Sequence, residues 1–145
     1  MNAVDLRSVL ADPEQSGAYF IDEHDTQAMV DAGNALDYAV LRVDLSGCAD
    51  KTELMRRFAN AGEFPGWFGG NWDALSDVLG DFSWRRAHGY VLLIEHASGW
   101  RAAHPDDFDT LLEILNETAF RWAEQGTAFW ALLTFPADEL GDSDD

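Results

Sequence analysis

The sequence predicts an α/β fold, a small parallel β-sheet packed against helices. Two apolar runs carry that reading. "GYVLLIE" (89–95) and "TAFWALLTF" (127–135) are almost unbroken by polar residues, as in strands buried on both faces with helices outside. Between them, residues 104–126 repeat apolar positions at helical spacing, so strand and helix signals alternate along the chain. With 145 residues, the chain fits one compact domain spanning residues 1–145.

In chain order, residues 1–16 read as a loose lead or short helix. "AYFI" (18–21) is a short strand and "TQAMVDAGNAL" (26–36) a helix. "YAVLRVDL" (38–45) is apolar and β-branched, and Ser46-Gly47 stops it as a strand. In "DKTELMRRFANAG", Asp50 and Glu53 form a helix start signal. Leu54, Phe58 and Ala61 keep an apolar face, and Gly62 is placed to supply a left-handed C-cap. "FPGWFGG" then breaks regular structure with one Pro and three Gly. "GNWDALSDVLGD" (70–81) follows as a helix with Asn71 as N-cap. The 104–126 helix opens on Pro105 with Asp106 and Asp107 in its first turn. It carries Phe108, Leu111, Leu112, Leu115, Ala119 and Trp122 on one side.

Charge is the outlying property: 27 acids face 9 Lys and Arg, a net charge of –18. The terminal "ADELGDSDD" holds five acids and no base, so –18 minus –5 leaves –13 on the body. Such a field disfavours nucleic acid and anionic membranes and speeds association with a cationic protein. Solubility alone also accounts for an acidic composition. The single cysteine, Cys48, excludes an intrachain disulfide framework and suits a reducing compartment. The N-terminus has neither a basic start nor a long apolar run, so a cytoplasmic protein is expected.

Helix 70–81 carries the feature with most functional content. Asp73, Asp77 and Asp81 recur every four residues, and no Lys or Arg occurs between Phe58 and Trp84 to offset them. Like charges at that spacing repel by roughly 0.2–0.5 kcal/mol per pair. On a helical wheel over residues 72–82, Trp72, Leu75, Leu79 and Phe82 fall on one side and the three acids opposite. An ordinary amphipathic helix shows the same division. The uncompensated repulsion, and Trp67 and Phe68 in the Gly-rich loop before it, favour a protein-binding surface instead.

Catalytic and metal sites have less support, and no catalytic residue, metal or cofactor is assigned. Acids on one exposed face lack the differing environments that separate acid from base, and Ser76 has no His nearby in sequence. No G-x-S-x-G, H-E-x-x-H or phosphate-binding Gly loop occurs. His96, His104, Asp106 and Asp107 match no closed ligand spacing.

The run "FPGWFGGNWDALSDVLGD" resembles the central segment of the barstar family, intracellular inhibitors of barnase-type ribonucleases. The matching positions are Pro65, Trp67-Phe68, Gly69, Asn71, Trp72, Asp73-Ala74-Leu75, Asp77 and Leu79. The flanking order of strands and helices also fits over about residues 38–135. The resemblance implies that residues 1–37 add a strand–helix unit at the sheet edge and that 136–145 form an acidic tail. It further implies 1:1 binding to a basic ribonuclease or related toxin, with the acidic helix and its preceding loop plugging the active site in place of substrate phosphate. That mechanism is carried over from the barnase–barstar pair, the usual example of steered association. By position, Asp77 becomes the central carboxylate, Asp73 meets a second basic group and Trp67 supplies aromatic contact. Gly69 and Asn71 shape the junction, with Phe68, Trp72, Ser76 and Gly80 completing the surface. Two residues depart from the family: Ser76 replaces a bulky aromatic, and Arg121 stands about where an acidic contact is expected. Both set this chain apart from a barnase-like target, so a related but different nuclease, or a module for another basic toxin or regulator, is the alternative.

Overall fold

The structure is a computed structural model and describes residues 6–140. Its elements are α1 (Leu6–Leu10), β1 (Gly17–Asp22), α2 (Thr26–Ala35), β2 (Ala39–Asp44), α3 (Lys51–Gly62), α4 (Trp72–Leu79), β3 (Gly89–Glu95), α5 (Ala97–Ala103), α6 (Pro105–Glu124) and β4 (Ala128–Phe135). The four strands form one parallel sheet in the order β1-β4-β3-β2. This is the α/β architecture the two apolar runs require.

Alternation along the central strands builds two cores. On one face, Tyr90, Leu92 and Ile94 of β3 join Phe129, Ala131, Leu133 and Phe135 of β4 beneath residues of α3, α4, α5 and α6. On the other, Val91 and Leu93 join Ala128, Trp130 and Leu132 under α1 and α2. Every residue of β4 is buried, which explains why its sequence has no polar face.

The N-terminal strand lies at the sheet edge, as the sequence reading has it, where β1 pairs with β4 from Gly17↔Trp130 to Asp22↔Phe135. Its helix does not stay there. β2 lies at the far edge, so the connection must cross the sheet, and α2 does so on the face that α3–α6 leave free, packing on β2 and β3. The acidic stretch beginning at 136 is also not all free tail: Glu139 accepts both Ser98 Oγ (2.6 Å) and Arg101 Nη2 (3.4 Å). Residues 141–145, the rest of that tail, and 1–5 of the N-terminal lead lie outside the described residues.

Three local expectations change. Gly62 is not the left-handed cap of α3: it is the last helical residue, and Glu63 takes the positive φ of 53°. Gly62 is needed for space, since a Cβ there would sit 2.4 Å from the Phe64 ring. Helix α4 is shorter than 70–81 and stops at Leu79, capped by Gly80. Phe82, buried but with φ of 48°, reaches the core from a turn rather than from the helix face. Finally, α5 was not foreseen. Its seven residues, ASGWRAA, start from a left-handed His96 with no side-chain cap, and Trp100 anchors it in the core.

Candidate functional site

The loop from Glu63 to Asn71 turns twice before α4. The Phe68 N–H donates to the Pro65 carbonyl at 3.0 Å, closing one turn. Gly70 then takes φ of 73°, a left-handed conformation glycine adopts without a steric penalty. Asn71 is extended (φ –130°, ψ 177°), and its Oδ1 accepts the Ala74 N–H at 2.8 Å. That is the N-cap expected from sequence, and it fixes where α4 begins.

The loop's aromatics divide into support and display. Phe64 packs edge-on against Phe68 (4.9 Å between ring centres) and Trp84 (6.0 Å). The Trp84 Nε1–H donates to the Gly62 carbonyl at 3.1 Å, tying this cluster to the end of α3. Phe68 is half-buried against the core. Trp67 rests its edge on Trp84 and remains 61% exposed. Trp67 is thus held at its base and open to solvent, outside the core. Gly69 beside it is exposed.

Helix α4 buries Leu75, Val78 and Leu79 and half-buries Trp72. Asp73 and Asp77 point the other way and are exposed. Among the described residues, neither carboxylate has an ion pair or side-chain hydrogen bond. Asp73 stands in the first turn, where the helix dipole favours an acid. Asp77 stands in the last turn, where the same dipole disfavours one. Asp81 does not continue the stripe: it lies in the turn beyond the helix and accepts the Ser83 hydroxyl at 3.0 Å. The structure therefore reduces three aligned acids to two.

Neighbouring elements hold α4 in place and bring cations that the local sequence does not. From α6, the Trp122 Nε1–H donates to the Leu79 carbonyl at 2.8 Å, and Arg121 Nη2 donates to the Ser76 carbonyl at 3.1 Å and to Ser76 Oγ at 3.2 Å. Ser76 and Gly80 are half-buried beneath this contact. From α3, Lys51 Nζ stands 5.8 Å from the centre of the Trp72 ring. Arg121 is one of the two residues that depart from the family pattern. Its lodging on Ser76 is tertiary and has no sequence signal, and the same holds for Lys51 over Trp72 and for Trp84 under Trp67.

Of the residues weighed as metal ligands, the two histidines are otherwise engaged. His96 Nδ1 lies 2.8 Å from Asp44 Oδ1, and His104 Nε2 lies 3.0 Å from the Ala49 carbonyl. No group of three or more His, Cys, Asp or Glu gathers at metal-binding distance among the described residues. Burial raises the Cys48 thiol above its ordinary pKa, so the thiolate a nucleophile needs is disfavoured.

The surface thus consists of an exposed tryptophan, a capped helix start and two unpartnered carboxylates on a short helix braced from behind. The family model for Barstar (barnase inhibitor) matches residues 38–134, which include all of these groups. The chain belongs to the barstar family. The match begins one residue before β2 and leaves β1 and α2 outside it. Membership of this inhibitor family accords with a binding surface rather than a catalytic centre. A search of curated proteins returns no significant match. Among the described residues, no helix is long and apolar enough to cross a membrane.

Proposed function

We propose that this protein is a cytoplasmic, non-enzymatic inhibitor that binds one basic ribonuclease 1:1 and closes its active site with α4 and the loop before it. The observation that carries this reading is the pair Asp73 and Asp77, exposed and unpartnered on a helix whose ends are fixed by Asn71 and Trp122. Two carboxylates held rigidly one helical turn apart match cationic groups that otherwise grip phosphate, and rigid presentation limits the ordering cost of binding. Trp67 supports the same surface as an aromatic anchor beside the charges. Family membership supplies the class of target.

The test is inhibition of barnase, the enzyme in the family's description, and of other basic microbial ribonucleases cleaving RNA. A target should lose activity in proportion to inhibitor added, reaching zero at equimolar protein. Asp77→Ala should weaken binding by roughly 2–5 kcal/mol, because cations desolvated in the complex lose their counter-charge. Raising salt should slow association far more than it speeds dissociation. Equal inhibition by wild type and Asp77→Ala would remove α4 from the mechanism.

A second reading, a module for a different basic toxin or regulator, draws support from Arg121. It lodges a cation on the small Ser76, where a uniformly acidic plug would carry none.

A further inference from the structure

Arg121 lies in the last turn of α6, and its side chain lies against the last turn of α4. Its Nη2 donates to the Ser76 carbonyl (3.1 Å), Ser76 Oγ (3.2 Å) and Thr118 Oγ1 (3.3 Å). A Cβ on Gly80 would come within 2.8 Å of Nη1 and 3.1 Å of Cζ, so the guanidinium occupies space that only glycine leaves there. All three acceptors are neutral oxygens. They orient the guanidinium without neutralising it, and among the described residues no carboxylate forms an ion pair with Arg121. Arg121 is also exposed. A fixed, permanently charged cation therefore flanks Ser76, the residue next to Asp77.

We infer that Arg121 is a specificity-determining residue of the plug, selecting a nuclease that presents cations to Asp73 and Asp77 and a carboxylate to the adjoining Arg121. This rests on the proposed role of α4. A partner whose active-site rim is basic at that position meets a like charge it cannot avoid, because the guanidinium is pinned by α4 and Thr118. Repulsion built in beside attraction is how related interfaces separate cognate from non-cognate partners. The surface is mixed in sign, and the mixture carries the selectivity.

The probes are barnase and a set of barnase variants, each replacing one cation around the active-site cleft with Glu. Binding rates and Kd are measured for wild type, Arg121→Lys, Arg121→Gln and Arg121→Glu, each shown by thermal melting to be folded. At one rim position, wild type and Arg121→Lys should prefer the Glu-bearing barnase by about tenfold or more, and Arg121→Glu should prefer the parent enzyme. Binding of parent barnase by Arg121→Glu but not by wild type is the same result in stronger form. The inference is overturned if all four proteins bind each barnase form within about twofold of one another, or if none binds any form. It is also overturned if Arg121→Lys behaves like Arg121→Gln, since the bonds to α4 and not the charge would then matter. Asp77→Ala on the same panel separates the two ideas. Unchanged binding by Asp77→Ala defeats the plug itself, whereas loss of binding with no rim position coupled to Arg121 defeats only this inference.

Discussion

Asp77 and Asp73 have the same chemistry but opposite standing in their helix. Asp73 is in the first turn of α4, where exposed N–H groups welcome negative charge, and Asp77 is near the C-terminus, where carbonyls repel it. No cation among the described residues forms an ion pair with Asp77. The helix dipole gives no reason for a carboxylate there, whereas the proposed partner would pair with it. Asp77→Asn should therefore stabilise the free protein by about 0.5–1 kcal/mol through relief of dipole and side-chain repulsion, while weakening partner binding. Urea unfolding of both proteins reads the first effect; a less stable Asp77→Asn would mean that Asp77 serves the fold. Asp73→Asn is the control, since its loss from the first turn carries no such gain.

At the scale of elements, what the sequence discloses depends on how local the cause is. The cap of α4 is legible because Asn71 and the Ala74 N–H it accepts are three residues apart. The central strands are legible because burial on two faces leaves β3 and β4 almost wholly apolar, with Glu95 at the end of one and a buried Thr134 in the other. The end of α4 is not, because Asp81 and Phe82 keep the helical period while Gly80 ends the helix and Phe82 turns to positive φ. Nor is α5, which buries only Ala97 and Trp100 within a short glycine-containing segment. Of the candidate site, the acids Asp73 and Asp77 on the face opposite the core and Trp67 in the loop are readable, and all three are exposed. Their supports, Trp84, Trp122 and Arg121, are not readable, because each acts across more than ten residues of chain. The caps carry a measurable share of α4's stability. Asn71→Ala should cost about 1 kcal/mol and hasten amide hydrogen exchange in α4 more than in α6. Uniform acceleration across both helices would show that the cap acts on global stability alone.

Across the whole molecule, acidity acts on stability in two opposing directions as pH falls. At neutral pH the net charge of –18 repels itself, and protonating unpaired surface carboxylates relieves that repulsion. Among the described residues three carboxylates resist protonation: Asp22, lowered by its bonds to the His24 N–H and ring, and, more strongly, Glu53 and Asp44. Glu53 is held down to about 2, first by its bonds to Arg56 and then by Arg57, and Asp44 is held to about 2 by the Ser46 N–H and then the His96 ring. For both, the pKa in the folded chain lies below that of the unfolded chain, near 4. Their stabilisation is therefore complete above pH 4 and is lost as pH falls toward 2. Since Asp44 is exposed and Glu53 pairs at the surface with the exposed Arg56, screening keeps each contribution small. Stability should hold or rise between pH 7 and 5, where repulsion relaxes, and decline below 4, where these bonds are surrendered. Urea unfolding across this range tests the sequence of effects, and the double variant Glu53→Gln, Asp44→Asn should flatten the decline between pH 4 and 2. A fall beginning already at pH 6 would show that charge repulsion is not what limits this fold near neutrality. The surplus of acid would then carry no stability penalty to be set against its proposed use in attracting a basic partner.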